Sequence, residues 1–116
     1  MREIELFNSL PIVSSYEILD FKQGSQFYYL KVKVKLTDGS TLQVRMFVSD
    51  QDYNYSYHWQ NENEKLIIRW DNSPHHPELE TFPHHKHINN EVAKSLEISL
   101  EEVLLFIQKR LNKNGS

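Results

Sequence analysis

Two stretches of strict apolar–polar alternation, separated by a turn sequence, constrain the fold of this chain more than any other feature. In Phe27–Leu36, apolar residues at even positions alternate with three lysines, and Leu42–Val48 repeats the alternation. Asp38-Gly39 lies between them and is typical of a hairpin turn. Because successive side chains of a strand point to opposite faces, the pattern predicts an antiparallel hairpin with one buried and one solvated face.

The length of this turn decides which residues face each other. A two-residue turn at Asp38-Gly39 would set apolar residues opposite polar ones on both faces, since a slip of one residue moves every side chain to the other face. We therefore predict an odd-length loop or a bulge. The resulting pairs are Leu36 with Leu42, Val34 with Val44 and Val32 with Met46.

A second hairpin is predicted for Tyr53–Gln60 and Leu66–Asp71, on either side of a polar turn. Matching the apolar faces pairs Trp59 with Leu66, Tyr57 with Ile68 and Tyr55 with Trp70. The opposite face then carries four polar side chains as near neighbours. These are Ser56, His58, Arg69 and Asp71.

Helices are predicted at both ends of the chain. Apolar residues within 1–10 recur at helical spacing before Pro11, and Ser99 and Glu102 form a capping box before an apolar helical pattern. Residues 72–90 hold three of the four prolines, which predicts no long regular element there. We predict one α+β domain over residues 1–116: a curved antiparallel meander of about 4–6 strands packed by an N-terminal and a C-terminal helix.

Composition excludes several kinds of site. The chain has no cysteine, so disulfides, thiolate nucleophiles and Cys-ligated metal sites are excluded. A formal charge of −3 gives no overall electrostatic footprint for nucleic acid, and any phosphate binding requires a local patch. No apolar run approaches the length of a membrane span and no signal peptide is recognised, so we expect a cytoplasmic protein without membrane contact.

Five of the six histidines lie between His75 and His87. Three interpretations stay open. In one, the loop binds zinc or another transition metal through residues drawn from His75, His76, His84, His85 and His87. In another, a histidine is a general acid or base while Arg69 or Lys86 stabilises phosphate charge, without any cofactor. In the last, the histidines brace a proline-rich loop.

Two polar surfaces on the sheet add candidates. His58, Arg69 and Asp71 combine a base, a cation and a carboxylate, although Arg69 and Asp71 could equally form an ordinary ion pair. Lys31, Lys33 and Lys35 form a basic row, joined by Arg45 on the neighbouring strand. With Phe27 and Tyr29 on the same face, this row could follow a phosphate backbone and stack a base, or it could simply mark the solvated face. The candidate nucleic-acid-binding residues are Lys31, Lys33, Arg45, Tyr55, Tyr57 and Lys86, although the aromatic row is also typical of a core or partner interface.

Several strings of the chain resemble the TumE family of prokaryotic toxin–antitoxin toxins, from about Tyr16 to the C-terminal helix. The strings are Asp38-Gly39-Ser40, Tyr55-Ser56-Tyr57-His58, Arg69-Trp70-Asp71-Asn72, Pro74-His75-His76-Pro77 and Thr81-Phe82-Pro83-His84-His85-Lys86-His87. The resemblance implies a small cytosolic toxin neutralised by a small antitoxin encoded nearby. The chain departs from the pattern at Met46, where we expect an acidic residue in many relatives.

The favoured function is a toxin that acts on RNA, as a metal-independent ribonuclease or another nucleic-acid-directed enzyme. The candidate catalytic residues are His58, Arg69, Asp71, His76, His84 and His85. His58 or His76 is the expected base, His84 or His85 the acid, and Arg69 and Lys86 the phosphate ligands. The alternatives are a non-enzymatic binding module and a His-ligated metal-dependent hydrolase. Expected partners are the antitoxin and RNA, and the sequence leaves a homo-oligomer open.

Overall fold

The computed structural model describes residues 1–114, which form a seven-stranded antiparallel sheet with one helix at each end of the chain. The helices are α1 (Arg2–Ser9) and α2 (Leu100–Asn114), and the strands are β1 (Val13–Gln23), β2 (Phe27–Leu36), β3 (Thr41–Ser49), β4 (Tyr53–Gln60), β5 (Leu66–Asp71), β6 (His85–Ile88) and β7 (Glu91–Lys94). The strand order in the sheet follows the chain order. The predicted α+β meander is confirmed, but the expected strand number is too low, because short strands β6 and β7 follow the proline-rich segment.

The β2–β3 hairpin has the predicted odd-length loop. The backbone N–H of Leu36 donates to the carbonyl of Ser40 over 2.9 Å, which leaves a loop of Thr37, Asp38 and Gly39. Gly39 has a φ of +89°, a left-handed conformation that glycine adopts readily. The pairs are Val34 with Leu42 and Val32 with Val44, so the predicted partners are wrong by two residues. A shift of two leaves every side chain on its predicted face.

The β4–β5 hairpin differs from the prediction in the same way. Tyr57 faces Trp70 and Trp59 faces Ile68, with an irregularity between Trp59 and Gln60 that moves the register. The predicted sharing of faces is nevertheless confirmed. His58 lies directly opposite Arg69, and Ser56 lies directly opposite Asp71.

The core lies between one face of the sheet and the two helices. Apolar side chains of β2–β5 meet α2 through Val103, Leu104 and Ile107, all of which are fully buried. The predicted capping box is confirmed, since Glu102 N donates to Ser99 Oγ over 3.1 Å and Ser99 N to Glu102 Oε1 over 3.0 Å. Among the described residues, neither helix is long and apolar enough to cross a membrane.

Candidate active site

The sheet face opposite the helices, here called the open face, carries two rows of polar side chains across β4, β5 and β6. One row consists of His58, Arg69 and His87, each directly opposite the next. The adjacent row consists of Ser56, Asp71 and His85. Directly opposed residues have Cβ atoms about 4.5–5.5 Å apart, so the side chains of each row can act on one another. Because side chains alternate between the two faces of a strand, the strand pairing places all six of these polar side chains on one face.

Asp71 lies at the centre of this group, with only 4% of its side chain exposed. Its Oδ1 accepts from the Ser73 backbone N–H over 3.0 Å and lies 2.9 Å from His85 Nε2. Its Oδ2 accepts from Arg69 Nε over 3.1 Å and lies 3.5 Å from His87 Nε2. Both oxygens are thus surrounded by donors, which compensates the cost of burying a carboxylate. Asp71 holds Arg69, His85 and His87 in fixed relative positions.

His85 is as deeply buried as Asp71, with 2% of its side chain exposed. Its Nδ1 lies 2.9 Å from the Pro83 carbonyl oxygen, which can only accept a hydrogen bond. Its Nε2 faces the Asp71 carboxylate. Together the two contacts hold the His85 ring in one orientation, and its side chain is almost completely buried.

The loop after β5 brings a third histidine against this pair. The ring centroid of His76 lies 4.9 Å from that of His85 and 6.0 Å from that of His87. His76 Nδ1 also lies 3.2 Å from Glu78 Oε1. One ring nitrogen from each of His76, His85 and His87 lies within 4.8 Å of the others. His76 and His87 remain partly accessible, with 28% and 31% of their side chains exposed.

The pKa values of His58 and His87 are both lowered from the usual imidazole value. Burial is the main cause at each ring, because it disfavours the charged form. The positive charge of Arg69 lowers the pKa of His58 further. At His87, the Asp71 carboxylate opposes the effect of burial. Both rings are therefore mainly neutral near pH 7, and at His87 the neighbouring carboxylate reduces the downward shift of the pKa.

A cleft of about 190 Å³ adjoins His58 and Arg69 on the open face. Its charged lining comes from Lys31, Arg45 and Arg69, and the bulged part of β1 contributes Leu19. Within the described residues, no carboxylate forms an ion pair with Lys31 or Arg45. Asp20 is the register partner of Lys31 on β1 but pairs with Lys22 instead, so Lys31, Arg45 and the guanidinium of Arg69 make this cleft suitable for an anion.

Two candidates from the histidine loop do not join the site. His84 lies on the helix-packed side, where its ring stacks on Tyr55 and its Nδ1 lies 2.9 Å from the Tyr55 hydroxyl. Lys86 is the register partner of Trp70, so it also belongs to the helix-packed face. The structure therefore does not bring His84, the predicted acid partner, or Lys86, the predicted phosphate ligand, to the open-face cluster. His75 is exposed and lies outside the three-histidine cluster.

The aromatic row of β4 forms part of the core. Tyr55 is 4% exposed and Tyr57 is fully buried, and burial raises the pKa of both phenols. The structure therefore places these two predicted nucleic-acid-binding residues in the core rather than on the open face. Met46 also lies on this face, opposite Leu30 and Tyr55, and is buried. Met46, where the resemblance led us to expect an acidic residue, therefore lies away from the open-face cluster.

Sequence reasoning assigned His87 only to a metal site, yet the structure places it beside Arg69 and Asp71. The usable signal was the spacing of His85 and His87, which puts both on one face of a strand. Asn72 was also left without a role. Its amide donates to the Tyr53 carbonyl over 2.6 Å and accepts from the Tyr55 N–H over 3.0 Å, which continues the β4–β5 pairing past the end of β5.

Comparison with known proteins identifies one family. The family model described as Toxin TumE matches residues 3–111, which includes every strand and most of α2. No curated protein and no solved structure matches the chain.

Proposed function

Because the chain belongs to the TumE family of toxins of toxin–antitoxin systems, we propose that it acts on cytoplasmic RNA as a metal-independent ribonuclease. The main support is the row of His58, Arg69 and His87 on three neighbouring strands. Two imidazoles on either side of a guanidinium are the groups that phosphodiester transfer requires: a base, an acid and a ligand for the phosphate. The small antitoxin expected for this family is the partner that controls the activity.

In the proposed reaction, His58 accepts the proton of a ribose 2′-hydroxyl. The 2′-oxygen forms a bond to phosphorus, and the bond between phosphorus and the 5′-oxygen breaks. His87 donates a proton to that leaving oxygen, so the products are a 2′,3′-cyclic phosphate and a 5′-hydroxyl. The lowered pKa of His58 keeps this ring neutral near pH 7. Burial also lowers the pKa of His87, with Asp71 opposing that effect, so only a fraction of the His87 rings carries the proton to be donated.

Arg69 binds the non-bridging phosphate oxygens between the two histidines. Its Nε is bonded to Asp71, which leaves the terminal guanidinium nitrogens for substrate, and 40% of its side chain is exposed. Asp71 and His85, in the adjacent row, hold these side chains in place. His58, Arg69 and His87 therefore touch the substrate, whereas Asp71 and His85 position them.

The rest of the open face suits a single strand. Lys31 and Arg45 line the cleft beside Arg69, and exposed Lys33 lies one residue pair further along β2. On the other side of Lys31, toward the start of β2, the rings of Phe27 and Phe47 stack with centroids 5.6 Å apart, and Phe27 is 40% exposed. Cations beside exposed aromatic rings bind single-stranded nucleic acid by combining backbone contacts with base stacking. We therefore propose single-stranded RNA as the substrate.

Cleavage of a single-stranded RNA by the purified chain tests this function. We expect His58→Gln and His87→Gln each to lower the cleavage rate by about 10²–10⁴-fold, the usual contribution of a general acid or base. His84→Gln and His75→Gln are matched controls, because these rings lie outside the row, and both should keep the wild-type rate. Equal activity of all four variants would remove the proposed site.

Growth measurements distinguish a ribonuclease from a non-enzymatic binding module. Expression without the antitoxin should arrest growth, and His58→Gln should relieve the arrest. An arrest that persists in His58→Gln and His87→Gln would favour a binding module that inhibits its target without cleaving it.

A further inference from the structure

We propose that His76, His85 and His87 form a binding site for a transition-metal ion, with zinc as the reference metal. This inference goes beyond the proposed ribonuclease, because it concerns what the cluster binds rather than what the row of His58, Arg69 and His87 cleaves. One ring nitrogen from each of the three residues lies within 4.8 Å of the others. Imidazole is a ligand that zinc, copper and nickel share.

The orientation of His85 is the strongest support. Histidines that bind metal almost always donate their other ring N–H to a carbonyl or carboxylate, which fixes the tautomer. His85 Nδ1 already faces the Pro83 carbonyl at 2.9 Å, which leaves Nε2 as the nitrogen available to an ion. An ion binds an unprotonated imidazole nitrogen, so any proton on Nε2 leaves to solvent when the ion binds. Asp71 Oδ1 lies 2.9 Å from Nε2, beside the three histidines rather than among the clustered ligand atoms.

The remaining ligands have the freedom that such a site needs. Nitrogens bound to one tetrahedral zinc at 2.0–2.1 Å lie about 3.3–3.4 Å apart, so the cluster must contract slightly. His85 and His87 are held on β6, whereas His76 belongs to the loop between β5 and β6. His76 can therefore close onto the ion without disturbing the sheet.

Metal binding has a defined consequence for the proposed reaction. His87 cannot donate a proton while a metal ion occupies its ring nitrogen. Zinc at this site is therefore expected to inhibit cleavage, and its removal by a chelator to restore it. The site is thus a candidate control point on the same face as the catalytic row.

Isothermal titration calorimetry of the 116-residue chain with Zn²⁺ alone tests the site independently of activity. Co²⁺ serves as a second probe, because its absorption spectrum reports tetrahedral nitrogen coordination. We expect one equivalent of metal, and an affinity at least about tenfold weaker in His76→Gln and His87→Gln. His75→Gln and His84→Gln remove neighbouring imidazoles outside the cluster and should bind as wild type does. His76 is partly exposed, so its substitution leaves the fold intact even if His85→Gln does not fold.

The outcomes distinguish this proposal from the ribonuclease. No binding, or equal binding by all four variants, would overturn the metal site and leave the cleavage mechanism untouched. Binding with inhibition of cleavage supports both. Binding together with cleavage that requires zinc would establish the site and overturn the metal-independent mechanism.

Discussion

Asp71 Oδ1 lies 2.9 Å from His85 Nε2, and both side chains are almost completely buried. The same carboxylate also accepts from Arg69 Nε and from the Ser73 backbone. A buried carboxylate with several donors stabilises the fold mainly by preventing those donors from being left unpaired. This pair connects β5, β6 and the segment that follows β5.

We expect Asp71→Asn to lower the free energy of unfolding by about 3 kcal/mol, because breaking a buried ion pair leaves a charge without compensation. Urea unfolding at pH 7 measures the change as a shift in midpoint. Asp20→Asn is the control. Its ion pair with Lys22 is exposed, so the loss should stay below about 1 kcal/mol. Equal losses in the two variants would show that Asp71 does not organise the site.

Arg69→Gln should raise the pKa of His58 toward the usual 6.5, since it removes a positive charge that disfavours imidazolium. Burial, the larger cause, remains, so the pKa should stay below the usual value. An NMR titration of the His58 ring measures the shift. Lys86→Gln, on the opposite face, should leave it unchanged. A pKa that falls or stays constant in Arg69→Gln would contradict the proximity of the two side chains.

The same direction of shift determines the response of His58 to acid. The pKa of His58 is lower in the folded chain than in the unfolded chain, so around pH 6.5 the unfolded chain binds more protons at this ring. The stability that His58 contributes is therefore fully present above pH 6.5, and it is lost as the pH falls from there through the lowered pKa. Cleavage should decline over the same range, because the base becomes protonated. His58→Gln should remove this limb from the residual pH–rate profile.

The cleft cations should govern RNA affinity through salt. A single-stranded analogue of the RNA with deoxyribose in place of ribose has no 2′-hydroxyl, so it cannot undergo the proposed cleavage and its binding can be measured alone. We expect Lys31→Ala and Arg45→Ala each to weaken binding and to reduce the slope of log K against log salt by about 0.7, one phosphate contact each. Lys86→Ala should have no effect. The same loss in Lys86→Ala would show that the open face is not the binding surface.

The left-handed turn residue gives a test of the β2–β3 hairpin. Gly39→Ala should lower the free energy of unfolding by about 1 kcal/mol, because a side chain is strained at a φ of +89°. The added Cβ would lie 3.2 Å from Glu62 Oε2, the tip of a flexible side chain, so the strain comes from the backbone. Gly39→Asn is the control, since asparagine tolerates this region better than alanine. Thermal unfolding of the three proteins should rank them glycine, asparagine, alanine.

Alternation of apolar and polar residues was sufficient to predict which side chains share a face. It brought His58, Arg69 and Asp71 together and separated them from Tyr57 and Trp70, as the register confirms. It could not predict the exact partners, because the closure at Leu36 and Ser40 and the irregularity at Trp59 depend on turn geometry. Both hairpins were therefore misplaced by two residues.

Strand β6 could not be predicted, and the errors at the site follow from that. Four residues that include two histidines and a lysine carry little strand propensity, and a proline-rich loop precedes them. Because no strand was predicted here, the sequence did not indicate that this segment alternates between two faces of the sheet. The alternating residues are His84, His85, Lys86 and His87. The structure directs His85 and His87 toward Asp71 and leaves His84 and Lys86 on the other side.

The chemical form of the RNA ends tests the central claim most directly. Attack by the 2′-hydroxyl leaves a 2′,3′-cyclic phosphate and a 5′-hydroxyl, whereas metal-assisted attack by water leaves a 3′-hydroxyl with a 5′-phosphate or the reverse. The proposed roles of His58 and His87 predict cyclic phosphate ends, formed in the presence of a chelator and absent when deoxyribose replaces ribose at the cleaved position. Hydrolytic ends that require metal, or cleavage of the deoxyribose substrate, would contradict them.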